Sequence, residues 1–125
     1  ICAVQADARI LDGARIGKAD IVIADLPCSG LGVLGRKADI KYRITPEACQ
    51  ELCGLQREIL HTVQQYVKPQ GVLMYSTCTI NPMENEDNVK WFVGAHPEFR
   101  LERQQQILPR KGQNDGFFLA KLQKR

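Results

Sequence analysis

No stretch of the sequence approaches the roughly 20 apolar residues needed to cross a bilayer, and none has the make-up of a secretory signal. The five cysteines follow no regular spacing and are odd in number. That pattern speaks against a disulfide framework and for free thiols in a reducing cytoplasm, the expected location. Cys49 and Cys53 stand one helical turn apart, but no second cysteine pair or paired histidine completes a zinc site. They are therefore expected to be small packing residues, and no metal centre is expected. Internal repeats and low-complexity segments are also missing.

What is present fits one globular domain. The 125 residues suffice for a single core but are few for a complete α/β enzyme. The chain starts at Ile1, inside what reads as a strand, so it is expected to be part of a longer protein. Seventeen Lys and Arg against fourteen Asp and Glu give a formal charge of +3, which permits a polyanionic partner without demanding one. The cations cluster. Arg36, Lys37, Lys41 and Arg43 lie together, and Arg110, Lys111, Lys121, Lys124 and Arg125 make the end of the chain basic, read there as a solvated surface.

Strand and helix alternate along the chain. Residues 1–5 read as a strand and residues 20–25 as a stronger one. The glycines and mixed charge of residues 26–43 indicate a long functional loop. Thr45 followed by Pro46 is a helix start, a hydroxyl cap before the residue favoured at the first helical position. Leu52, Leu55, Ile59, Val63 and Tyr66 then form an apolar stripe. Lys68-Pro69-Gln70-Gly71 turns the chain into a strand over 72–76. Asn81 is expected to cap a second helix with Glu84 reaching back to its backbone, and Val89, Phe92 and Val93 facing inward. Residues 98–101 and 117–122 read as a closing antiparallel pair. The sum is an α/β domain with a mostly parallel sheet.

Two cysteines share a setting in this arrangement. Cys28 follows Ile21-Val22-Ile23-Ala24 in the run Asp25-Leu26-Pro27-Cys28-Ser29-Gly30, and Cys78 follows Val72-Leu73-Met74-Tyr75 in Ser76-Thr77-Cys78-Thr79. Short apolar runs of this kind are buried parallel strands, and open α/β sheets bind ligands at the carboxyl ends of their strands. Both thiols should therefore reach one crevice, with sulfurs no more than about 12 Å apart on strands spaced about 4.8 Å.

Five blocks, in order, resemble the RNA 5-methylcytosine methyltransferases, and within them the bacterial 16S ribosomal RNA cytosine-C5 (Sun/Fmu, RsmB) type. They are Asp25 to Leu34, Lys37 to Tyr42, Leu55 to Leu60, Tyr75 to Thr79 with Asn81 to Glu86, and Asp115 to Leu122. The resemblance implies a Rossmann-like, S-adenosylmethionine-dependent methyltransferase fold, of which this chain would be the C-terminal portion of the catalytic domain. It implies RNA, in particular ribosomal RNA, as partner.

The implied chemistry suits the residues. Carbon 5 of cytosine is a poor nucleophile until a thiolate adds at carbon 6. The resemblance assigns that attack to Cys78 and product release to Cys28. Asp25, three residues before Cys28, is implied to bind the ring nitrogen that gains electron density and to border the methyl donor. Asp7 is implied to accept a hydrogen bond from the adenine amino group of S-adenosylmethionine. Arg36, Lys37 and Lys41 occupy the family's basic loop, although Gly35 replaces one cation and Tyr42 a larger aromatic. The family's glycine-rich cofactor loop has no counterpart in these residues, so the chain by itself is expected to bind cofactor weakly. An N-terminal strand without neighbours is expected to be displaced or to pair between copies of the chain. Two other readings exist. A DNA cytosine methyltransferase would attack with Cys28, and a non-catalytic RNA-binding domain would have no need of two thiols.

Overall fold

The structure is a computed structural model describing residues 1–125. Four strands and two helices follow one another as β1 (Ala19–Asp25), α1 (Pro46–Val63), β2 (Val67–Thr77), α2 (Glu86–Ala95), β3 (Phe99–Ile107) and β4 (Phe117–Lys124). The strands form one sheet in the order β1-β2-β4-β3. Within these residues the sheet is mixed. β1 and β2 pair in parallel around the α1 crossover, while β4 runs antiparallel to both β2 and β3.

Local chemistry explains the main boundaries. Thr45 caps α1 by accepting from the Ala48 N–H, with Pro46 behind it, an arrangement that contributes about 1 kcal/mol. The α1 stripe is built from Cys49, Cys53, Gln56, Ile59, Leu60 and Val63, so the cysteine pair packs as expected. No cluster of three or more His, Cys, Asp or Glu side chains could hold a metal ion. Tyr75, Phe92, Phe99, Phe118, Leu60, Leu73 and Leu122 are the largest apolar side chains of the core between the helices and the sheet.

Three local expectations are corrected. Residues 1–12 form no strand: a strand needs a hydrogen-bonded neighbour, and the sheet ends at β1 with none of these residues paired to it. The Ile21 and Ile23 side chains of β1 stay exposed, since both helices cover the face that Ala24 occupies. The second helix starts later than Asn81. Asn81 makes an Asx turn to the Met83 N–H, residues 82–85 turn, and α2 follows Asn85. Glu84 does not fold back onto the Asn81 backbone. It is fully buried and turned towards Cys28's neighbours.

Candidate active site

Asp25 and Ser76 are register partners at the carboxyl ends of β1 and β2, and the next backbone bond, from Leu26 N–H to the Ser76 carbonyl, keeps the chains together for one further step. Beyond it both segments turn over the sheet end. Gly30 sits at φ 73°, a left-handed conformation that glycine adopts without steric cost, and leads into a short turn over Leu31–Val33. The two sulfurs are 3.1 Å apart, and the Cys78 N–H donates to Cys28 Sγ at 3.3 Å. Both cysteines are free thiols and half-buried. The two strand ends therefore bring both thiols together, well within the expected separation.

Glu84 braces this corner. One carboxylate oxygen accepts from the Ser29 N–H (2.8 Å) and the Gln56 side-chain amide (3.0 Å). The other accepts from the Ser29 hydroxyl (2.5 Å) and the Asn81 amide (3.0 Å). Ser29 follows Cys28, and its hydroxyl lies 2.7 Å from that of Thr79, which follows Cys78. Gln56 also donates to the Pro27 carbonyl at 2.8 Å, so α1 fixes the residue before Cys28. On the other strand, Thr77 donates to Asn85 Oδ1 at 2.6 Å while the Asn85 amide donates to the Thr79 carbonyl at 3.0 Å. A buried carboxylate is tolerable only when such donors replace its water, and here every replacement ties down a neighbour of a thiol.

The environment treats the Cys28 thiol unfavourably as an anion. Burial, followed by its hydrogen bond with Cys78, pushes its pKa up to about 12 from an ordinary 9.0. Cys28 therefore keeps its proton and can offer it to Cys78 Sγ. Tyr75, directly under the site, donates to the Glu84 carbonyl and is likewise pushed up, chiefly by burial.

The other sequence-selected residues fall in three places. Asp25 is exposed at the strand end and accepts from the Ser76 hydroxyl at 2.9 Å. Asp7 belongs to a different cavity, of about 520 Å³, whose walls include Ile10, Ile21, Val22 and Tyr66. Its carboxylate holds the Arg9 guanidinium at 2.6 Å, and those hydrogen bonds lower its pKa to about 2. In the basic loop, Arg36 pairs with Asp115 at 2.5 Å, Lys41 lies over the Tyr42 ring, and Lys37 is exposed just before a short 3-10 turn. Sequence reasoning did not assign Ser29, Gln56 or the bracing role of Glu84. The signal that could have found them was a glutamine inside the apolar stripe of α1 and a glutamate following a proline turn.

The description of the matching family is 16S rRNA methyltransferase RsmB/F, and the match covers residues 1–123. The ribosomal RNA small subunit methyltransferase B of Salmonella paratyphi A is 42% identical in an alignment of 113 positions that covers 85% of this chain and 26% of that protein. The probable ribosomal RNA small subunit methyltransferase B of Synechocystis is 38% identical, over 84% of this chain and 27% of the relative. The chain thus spans about a quarter of the length of these relatives. Among solved structures, NSun6 from Pyrococcus horikoshii with SFG matches with a TM-score of 0.75 and 29% identity, covering 97% of this chain and 34% of that one. PH0851 matches with a TM-score of 0.89 and 35% identity over 95% of this chain and 30% of its own. With a family match that runs through both cysteine motifs, the chain belongs to the 16S rRNA methyltransferase RsmB/F family.

Proposed function

We propose that the protein containing this chain methylates carbon 5 of cytosine in ribosomal RNA through a covalent cysteine adduct, with Cys78 as nucleophile and Cys28 as the group that helps release product. The observation that carries this reading is the thiol pair 3.1 Å apart at the ends of two parallel strands. Binding alone requires no such pair.

The unequal environments of the thiols support the division of roles. Cys28 retains its proton and stands within hydrogen-bond reach of Cys78, so it can donate to that sulfur as the adduct breaks. Cys78 adds to carbon 6, the ring nitrogen that collects the electron pair takes up the thiol's proton, and Asp25 hydrogen-bonds that nitrogen. The resulting carbon 5 nucleophile takes a methyl group. Methyl transfer spends that pair on the new carbon–carbon bond; water then takes the carbon 5 proton, the freed electrons form the carbon 5–carbon 6 double bond, and Cys78 leaves with the carbon–sulfur pair, stabilised by a hydrogen bond from Cys28. The base must leave its stack to present a ring face to the thiol.

The cofactor implied by the family, S-adenosylmethionine, supplies an electrophilic methyl group when bound. The Asp7 cavity fits its adenine, offering apolar walls and a carboxylate acceptor for the amino group. Arg9 already occupies that carboxylate, so the adenine must compete with it. Arg36, Lys37 and Lys41 supply positive charge to the RNA backbone.

Capture on RNA carrying 5-fluorocytosine tests the reading in the full-length protein, because fluorine blocks the proton loss that frees the enzyme. Wild type should form a stable protein–RNA adduct and Cys78→Ala none. Cys28→Ala should methylate but accumulate the adduct even on ordinary RNA. Capture that persists in Cys78→Ala and vanishes in Cys28→Ala would reverse the assignment to the DNA-methyltransferase pattern. Absence of capture in wild type would leave a binding domain.

A further inference from the structure

We propose that the cleft between the turn at residues 32–36 and the β3–β4 connection is a phosphodiester subsite that grips the RNA strand beside the reacting base. The proposal rests on the reading above. The cleft encloses about 540 Å³ and no large aliphatic or aromatic side chain lines it; its charged side chains are Arg36, Arg110, Lys111 and a single carboxylate, Asp115. Three cations facing one acid across a solvent-open cleft are suited to an anion, and a phosphodiester chain is the anion the reaction brings.

Two features separate this cleft from an ordinary basic surface. First, the connection is pre-set. Arg110 N–H donates to the Asn114 carbonyl at 3.0 Å, and the Gln113 and Asn114 N–H groups donate back to the Arg110 carbonyl at 3.0 and 3.1 Å. The Asn114 amide donates to the Leu108 and Asp115 carbonyls at 3.0 and 2.8 Å. Arg110 and Lys111 thus stand on a closed turn, so less conformational freedom is lost when they meet a ligand.

Second, the cleft is tied to the thiol site through backbone alone. Gly32 N–H donates to the Cys78 carbonyl at 3.0 Å, and the Gly32 carbonyl accepts from Gly116 N–H at 2.7 Å. One residue of the cleft floor therefore links the nucleophile's own backbone to the neighbour of Asp115. A strand held here passes next to Cys78. The Arg36–Asp115 pair at 2.5 Å holds the exposed guanidinium over the cleft. An incoming phosphate takes that guanidinium, which binds phosphate oxygens in a two-pronged fashion.

The test is equilibrium binding of a labelled single-stranded, cytosine-containing oligoribonucleotide to the full-length protein across a salt series. Arg110→Ala with Lys111→Ala should weaken binding about tenfold and flatten the log–log salt slope by about 0.7 for each phosphate no longer neutralised. KM for RNA should rise with kcat unchanged. Asp115→Asn should tighten binding by releasing Arg36 and removing the like charge. Lys90→Ala on α2, an exposed cation away from the cleft, should leave affinity and slope as in wild type. Unchanged affinity and slope in the double variant would overturn the subsite, as would a wild type that does not bind RNA. If wild type binds RNA but transfers no methyl group, while the double variant still loses affinity and slope, the catalytic reading falls and the subsite stands.

Discussion

Residues 25–30 and 76–88 on one side, and residues 1–18 on the other, are built on opposite principles. The first region buries Ser29, Thr77, Thr79, Glu84, Asn85 and Asn88, each with hydrogen-bond partners that cross between segments distant in sequence. In the second, every residue is exposed, and the contacts to the rest of the molecule are single bonds, such as Asp12 N–H to the Tyr66 hydroxyl and Thr62 to the Arg9 carbonyl. Position is therefore specified for the two thiols by a closed polar network, whereas Asp7 is specified only by its neighbour Arg9. The two thiols sit where several segments converge to hold them. The acid implied to hold adenine sits where it can yield.

The sharpest way to break this contrast is Glu84→Ala. It leaves four donors from Ser29, Gln56 and Asn81 without their acceptor, and orphaned buried donors cost about 1–3 kcal/mol each. A decrease of about 3 kcal/mol or more in urea denaturation is expected, enough to threaten the fold of a domain this size. Glu84→Gln keeps the shape but sets an amide N–H against donors, so it should cost less and remain measurable. Wild-type stability in both would show that the brace contributes nothing.

Much of the contrast is legible in the sequence. The two thiols can be placed in one crevice because each follows a short apolar run, and the carboxyl ends of parallel strands lie on one edge. The Thr45-Pro46 helix start is legible for an equally local reason. Glu84 is not, because a glutamate three residues after an asparagine has the same pattern whether it caps a helix or is buried against a distant serine. Only tertiary contact between residues 29 and 84 decides, and no local rule contains it. The strand expected over residues 1–5 fails in the same way. Its apolar pattern is compatible with a strand, but a strand needs a hydrogen-bonding neighbour, and none of the four strands pairs with residues 1–5. Exposure of Ile21 and Ile23 has the same origin: an apolar run states what could be covered, not what covers it.

Matched glycine substitutions sharpen the comparison at the next level. A methyl group at Gly32 would press on the Gly116 backbone and come within 2.8 Å of the Cys78 carbonyl, whereas at Gly13 it would meet nothing within 4 Å. Gly32→Ala should cost about 2 kcal/mol and loosen the link between Cys78 and the β3–β4 connection. Gly13→Ala should stay within about 0.5 kcal/mol of wild type. Equal effects at the two positions would erase the distinction between the regions.

Hydrogen exchange reads the same distinction without mutation. Amides of β2 over residues 72–77 and of β4, which pair with neighbouring strands, should open only with global unfolding, while those of residues 1–6 should exchange at near-intrinsic rates. Strong protection over residues 1–6 would mean that this segment finds a strand partner, in the same chain or in another copy.

The smallest effect concerns His96, which lies at the end of α2, far along the chain from the thiols yet inside the well-packed region. Its ring is buried against Phe92 and lies 3.4 Å from His61, with Glu98 at 3.6 Å on its other nitrogen. Burial lowers its pKa from the ordinary 6.5; His61 and Lys124 push the same way and Glu98 opposes them. The sign follows from linkage. Below pH 6.5 the unfolded chain takes up a proton that the folded chain still refuses, so stability falls as pH drops through the window between the ordinary value and the depressed one. Urea midpoints measured from about pH 7.5 down to about pH 5, before most carboxylates titrate, should therefore decline in wild type and decline less in His96→Gln. Identical pH dependence in the two proteins would place the acid sensitivity elsewhere and leave His96 a packing residue only.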